Sequence, residues 1–343
     1  MSMTTVARRD YSLTGPALQQ AEDAGLVSGR WYRPPIDREV LRMLNGRTNG
    51  RAAGEVVLWL ALLVVSGLAA WRYRHSWWAV PCFAIYGALY GGAADARWHE
   101  CGHGTVFKSR RANDVVYYIA SFMMLREPTL WRWSHTRHHS STIIVGRDPE
   151  IVFERPFRWR ALAKAVVNLP GGLSMLRRIA HHAFSSVDAA AQQFVPQNRR
   201  RDVVWEARVF LGVLIGVLAW SIVARSLLPL LFVGLPTFYG VWLAVFFGIT
   251  QHAGMRENVL DHRLNTRTVM MNPVFRFLYL NMNYHVEHHM FPTVPYRNLP
   301  ALHAEIKDHL APASPSTWAA YREIFTALAE QGRDGDWELP RNR

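Results

Sequence analysis

Long apolar runs alternate along this chain with polar, arginine-rich stretches. Residues 52–71 are interrupted by a single charged residue, Glu55, and residues 77–94 are charge-free, so each approaches the ~20 apolar residues a helix needs to cross a bilayer. Only Arg72 to Ser76 separates them, which predicts a tight hairpin with Trp71, Tyr73, Trp77 and Trp78 at its turn, where interfacial aromatics belong. A second pair, 209–224 and 226–251, is divided by Arg225 and carries Pro229 and Pro236. The pattern predicts an all-α integral membrane protein with four crossings in two hairpins, at about 52–71, 77–94, 209–224 and 226–251.

The remaining stretches are too polar or too short to span. Val115 to Leu125 is apolar for eleven residues, and Arg160 to Phe184 mixes Leu, Val and Ile with Lys164, Arg177 and Arg178. Both read equally well as in-plane interfacial helices or as ordinary helices of a cytosolic cap. Residues 1–51 form a polar N-terminal segment with a helix from Pro16 to about Gly25 and another after Pro34-Pro35-Ile36-Asp37. The membrane domain is then 52–343, with a cap built from 95–208 and 252–343.

Net charge sharpens this picture. The chain carries +13, from 36 Arg and 3 Lys against 26 acidic residues. In a soluble protein that excess would raise nucleic acid as a partner, but no nucleic-acid motif accompanies it. The two predicted short turns hold Arg72, Arg74 and Arg225, and the other 36 basic residues fall on the opposite side. The positive-inside rule places that side in the cytosol, the inner face of a bacterial inner membrane. Two cysteines, Cys82 and Cys101, form no disulfide framework. Arg8-Arg9 is followed by no apolar h-region, so the N-terminus reads as cytosolic and retained.

The candidate chemistry lies in the histidines. His135, His138 and His139 repeat the spacing of His285, His288 and His289, a His-x-x-His-His triplet expected by chance roughly 0.03 times in a chain with this histidine content. His99 and His103 are an i,i+4 pair, one helical turn apart. Each cluster follows an even number of crossings, so all three share the cytosolic face. Eight convergent imidazoles exceed one ion's coordination and argue for a pair of metals, with iron, zinc, copper and nickel all compatible. Carboxylates near enough in sequence to orient the rings are Asp95, Glu100, Asp148, Glu150, Asp261 and Glu287, of which Glu287 and Asp95 are favoured. His181-His182, His75, His303 and His309 read as structural, and His262 as part of an exposed loop from Arg256 to Arg267.

The three clusters, with Asn281-Met282-Asn283-Tyr284-His285-Val286-Glu287-His288-His289-Met290-Phe291-Pro292 as the most specific piece, resemble the histidine boxes of the membrane fatty acid desaturase family, which also includes hydroxylases. The resemblance runs from about Trp98 to Leu302. It implies a site of two irons held by eight or nine histidines. Where the family carries a further histidine between the second and third boxes, this chain has His252, at the cytosolic end of the fourth predicted crossing. The expected ligands are therefore His99, His103, His135, His138, His139, His252, His285, His288 and His289.

The activity implied by the resemblance is that of an O2-dependent di-iron oxidoreductase acting on an unactivated aliphatic C–H, with desaturation of a fatty acyl chain favoured. Hydroxylation, hydrocarbon monooxygenation and terminal-alkene-forming decarboxylation are alternatives on the same scaffold. Three residues between the first two histidines look more like acyl-lipid desaturases than acyl-CoA ones. No haem-binding or ferredoxin-like segment is visible, so the electrons are expected from a separate ferredoxin or b-type cytochrome with its reductase, and the basic face would steer an acidic donor. A metal transporter is the rival class. It should carry ionisable ligands within its crossings, and these crossings have almost none.

Overall fold

In a computed structural model of the chain, residues 9–341 are described; the first eight residues of the predicted N-terminal segment and the last two of the cap lie outside them. Among the described residues the secondary structure is helical, with two isolated β-bridges, Thr268 to Tyr284 and Val269 to Ser314.

Both predicted N-terminal helices form. Pro16–Asp23 begins on its proline and precedes Gly25 at φ 71°, and Arg38–Leu44 starts at Asp37, whose carboxylate accepts from Glu39 N and Val40 N. Helix α1, Gly50–Arg72, is the first apolar run. Helix α2, Ala79–Gly87, passes through a π-helical turn at Ala88–Gly92 into α3, Ala93–Gly102, which carries His99 and places His103 at its C-cap. The second apolar run thus continues as helix beyond Ala94, with its irregularity at Gly91-Gly92. The stretch predicted as the first part of the cap contains α4 (Arg110–Met123), α5 (Pro128–Ser140), α6 (Trp159–Val167) and α7 (Leu169–Phe184). Helix α8, Arg200–Val223, begins nine residues before the predicted crossing at 209.

The fourth apolar run departs most from expectation. It is not one helix but three pieces, Leu228–Phe232, Pro236–Tyr239 and α9 (Trp242–His252). Pro229 and Pro236 each remove a backbone donor, and Gly234 turns the chain at φ 93°. The break brings backbone against backbone. A Cβ on Gly240 would stand 1.8 Å from the Gly87 carbonyl oxygen, so only glycine permits that approach. Trp59 of α1 donates to the Leu89 carbonyl (3.0 Å), tying the π turn to the first helix.

Two helices have the length and apolar composition to cross a membrane: Gly50–Arg72 and Gln197–Val223, the latter counting the 3-10 turn before α8. Their outer faces are bare. Val57, Val65 and Leu68 of α1 are 62%, 63% and 61% exposed, and Trp220, Ile222 and Val223 of α8 are 62%, 68% and 84% exposed. Contiguous apolar area of this kind would be costly in water and costs nothing in hydrocarbon. The principal core lies inside, where α1–α3 and α9 meet the segment from Tyr279 through α10 (His285–Met290) to α11 (Leu299–Ile306). Helix α12, Thr317–Arg333, starts at Ser316, which caps Ala319 N, and packs against α9.

Candidate metal centre

Four helices aim the histidines inward. On an α-helix, residues at i and i+4 lie nearly above one another, while i+3 points to the other flank of the same face. In α5 this directs His135 and His139 one way and His138 the other; in α10 it separates His285 and His289 from His288. The two helices then share out their rings reciprocally. His135 and His139 join His99, His103 and His288 in one group of five, whereas His285 and His289 join His138 and His252 in a group of four. The repeated triplet spacing thus builds two adjoining clusters rather than two separate ones.

All nine predicted ligands are brought together, with candidate ligand atoms within 4.8 Å of one another in each group. Nε2–Nε2 separations are 2.7 Å for His99–His288, 3.1 Å for His135–His103 and for His139–His135, 3.1 Å for His285–His252 and 3.2 Å for His289–His285. For imidazole nitrogens about 2.1 Å from a metal, neighbouring corners of an octahedron or tetrahedron stand about 3.0–3.4 Å apart. The donor spacing fits a pair of coordination shells. Burial and crowding by other imidazoles hold His99, His103, His139, His285, His288 and His289 well below the usual histidine pKa, so their rings are neutral and present lone pairs.

Four of the nine opposite ring nitrogens are anchored. Nδ1 of His138 meets Asp148 (2.9 Å), Nδ1 of His135 meets Glu150 (3.0 Å), Nδ1 of His252 meets the Asn265 carbonyl (2.9 Å) and Nδ1 of His289 meets Thr142 Oγ1 (3.1 Å). Glu100 is fully buried 3.7 Å from His288 Nδ1 and accepts from Thr105. A partner at Nδ1 fixes the tautomer and turns Nε2 toward the centre. Asp148 reaches back because the chain folds over after α5: Ile143 and Gly146 take positive φ, and Ile143 N donates to the Asp148 carboxylate (2.7 Å).

Three expectations are overturned by the structure. Asp95 anchors no ring but pairs with Arg126 (2.5 Å), whose guanidinium lies over Trp98 and Trp131. Glu287 points away from the groups, bonding His303 Nδ1 and Thr268 Oγ1, because its position on α10 is opposite His285 and His289. His262 is not in an exposed loop. It is 3% exposed, stacked on Trp31 at 4.3 Å, with its ring 5.0 Å from that of His289. The N-terminal segment therefore seals one side of the site, a role its sequence did not signal. His75, His181, His303 and His309 fall outside both groups, and buried His182 is held by Glu127 (2.8 Å) and Asp188 (3.0 Å).

A cavity of about 440 Å³ opens onto the clusters. Its inner wall includes His99, His138 and His285, and it runs between Ala244 and Gly248 of α9 and Ala165 of α6 and Met175 of α7. Apart from the Asp95–Arg126 pair and a buried Arg155–Glu257 pair (3.4 Å), most of this wall is apolar.

The fatty acid desaturase family model matches residues 75–321. The chain belongs to the fatty acid desaturase family. Among its relatives are a chloroplastic omega-6 fatty acid desaturase of Brassica napus (24% identical, covering 75% of this chain and 57% of the relative) and the Delta(6)-fatty-acid desaturase fat-3 of Caenorhabditis elegans (24%, 61% and 54%). A third is the endoplasmic-reticulum acyl-lipid omega-3 desaturase (cytochrome b5) of Arabidopsis thaliana (26%, 69% and 66%). The matched region thus spans between 54% and 66% of these relatives' own length. Membership in this family supports an oxidoreductase, and the paired histidine groups suit a metal site.

Proposed function

We propose that this family member is a membrane-bound, O2-dependent di-iron enzyme that desaturates a fatty acyl chain. The observation that carries the reading is the split of nine histidines, six of them buried and three half-buried, into adjoining groups of five and four at the end of an apolar cavity. His99, His103, His135, His139 and His288 would hold one iron, and His138, His252, His285 and His289 the other. Bound there, the irons would supply oxygen reduction and hydrogen removal from an unactivated C–H.

The chain's own residues do the positioning. Asp148, Glu150, Asn265 and Thr142 hold rings in one tautomer, so the sites need little reorganisation on loading. The cavity wall along Ala244, Gly248 and Met175 receives an aliphatic chain and excludes water from it. Its placement of the reacting carbons decides the outcome, since about 1 Å of displacement changes rates on the order of 10²-fold. The overall reaction balances as O2, two electrons and two protons removing two vicinal hydrogens, with two waters released. The electrons come from a separate donor, a ferredoxin or a b-type cytochrome with its reductase.

Four crossings with the clusters on the cytosolic side complete the proposal. The positive-inside count and the bare apolar faces of α1 and α8 support it. The test is to feed deuterated fatty acids to a host expressing the chain with a donor system. Loss of two vicinal deuteriums is expected, with about two irons per purified chain; loss of one deuterium with oxygen gained from ¹⁸O₂ would make it a hydroxylase, and one zinc per chain would overturn the centre.

A further inference from the structure

A second cavity, of about 230 Å³, lies at the start of α1 and shares no lining residue with the first. Three guanidiniums face it, those of Arg51, Arg276 and Arg297, against one carboxylate, Glu55, which leaves a surplus of two positive charges in a concave site. Glu55 is already engaged: it accepts from Tyr296 and from Arg297 (3.3 Å) and lies 3.6 Å from Arg51. Arg276 forms no ion pair among the described residues. Its Nε is fixed by the Asn281 side-chain oxygen (2.7 Å), which leaves the outer guanidinium nitrogens for a ligand in a preset fork.

The depth of the site narrows the ligand. The bare apolar face of α1 begins at Val57, six residues past Arg51, or about 9 Å along a helix axis. Trp71, Trp77 and Trp78 mark the other end of that face, all of them exposed. Arg51 and its neighbours therefore sit at headgroup level, just outside the hydrocarbon. Pro273 and Phe277 line the same cavity, and exposed Val274 stands beside them, apolar surface on which an acyl chain can rest.

From this charge, shape and depth we infer that the cavity binds the phosphate of an anionic membrane lipid headgroup. The inference rests on α1 being a membrane crossing. Occupancy also bears on the metal centre. Leu280 and Asn281 take positive φ (49° and 51°) on the approach to α10, and Asn281 Nδ2 donates to the Tyr296 carbonyl beyond it (3.0 Å). The cavity floor thus clasps both ends of the segment that carries His285, His288 and His289, and a bound phosphate would tighten that clasp.

The experiment uses the full purified chain, delipidated in neutral detergent, titrated with short-chain phosphatidylglycerol, short-chain phosphatidylcholine or inorganic phosphate. Native mass spectrometry counts bound lipid, and thermal unfolding reports the consequence. Phosphatidylglycerol is expected to bind one per chain and raise the unfolding midpoint; phosphatidylcholine and inorganic phosphate should each bind at least tenfold more weakly. Arg51→Gln/Arg276→Gln should weaken phosphatidylglycerol binding about thirty-fold. Arg51→Gln alone, at a side chain 78% exposed, should weaken it about fivefold with no effect on folding. Arg74→Gln, at the opposite end of α1, should change nothing. Equal binding of both lipids, or wild-type affinity in the arginine variants, would overturn the inference, and inorganic phosphate as tight as the lipid would mark a soluble-phosphate site instead. Labelling of a cysteine placed at the α1–α2 turn tests the crossing without any lipid, so the two readings fail separately.

Discussion

Single residues in this protein act through which nitrogen they leave free. His99, His103, His139, His252, His285, His288 and His289 are neutral because burial and neighbouring rings disfavour a proton, and several rings of the two groups are aimed because an acceptor sits behind them. Asp148→Asn and Glu150→Gln should each lower iron affinity about 10- to 100-fold, whereas Asp95→Asn should leave the iron content unchanged, as read by metal analysis after dialysis. His262 separates packing from ligation. His262→Ala should destabilise the chain by about 1–3 kcal/mol through the lost stack on Trp31 while two irons remain bound, but His252→Ala should lose iron. The box histidines were legible in the sequence because helical spacing alone brings i, i+3 and i+4 to one face. The cover over His262 was not, because Trp31 arrives from a segment far away in the chain.

At the scale of elements, α7 is held by a contact that depends on protonation. His182 on α7 is fully buried, and although burial alone would lower its pKa, Asp188 and Glu127 on either side raise it to about 9. With the folded value above the unfolded ~6.5, this contact stabilises fully below pH 6.5 and the stabilisation is lost as pH rises through 9. The unfolding midpoint of the wild type should exceed that of His182→Gln most at pH 6, and the gap should close by pH 10. Helix α9 offers a second test. Gly248 lines the main cavity, and a Cβ there would meet no atom within 4 Å. Gly248→Phe should shorten the usable cavity and shift product profiles toward shorter chains, with iron content intact. Sequence periodicity foresaw these helices but not the three-piece form of the fourth run, because Pro229, Pro236, Gly234 and Gly240 break the ladder where close backbone packing on Gly87 repays it.

For the whole molecule the deciding quantity is the distribution of charge and apolar surface between two faces. Bare faces on α1 and α8 would cost a soluble protein dearly, and 36 of 39 basic residues fall on one side of the proposed crossings. In a chain with Cys82 replaced by serine, His75→Cys should react with a membrane-impermeant thiol reagent added outside intact cells, and Arg110→Cys only after the membrane is opened. The reverse pattern would invert the topology.

The sequence by itself determined the family, the set of nine convergent histidines and the apolar runs, because these rest on spacing along a single chain. Hydrophobic length, helical period and motif are local quantities. The tertiary structure alone decided how the nine rings divide between two groups, which carboxylates stand behind them and where the cavity opens. Those depend on the angle at which α5 and α10 face each other and on segments that meet only after folding. Asp95 and Glu287 show why: each lies within four residues of a candidate ligand in sequence, yet each side chain finds its partner elsewhere, in Arg126 and His303.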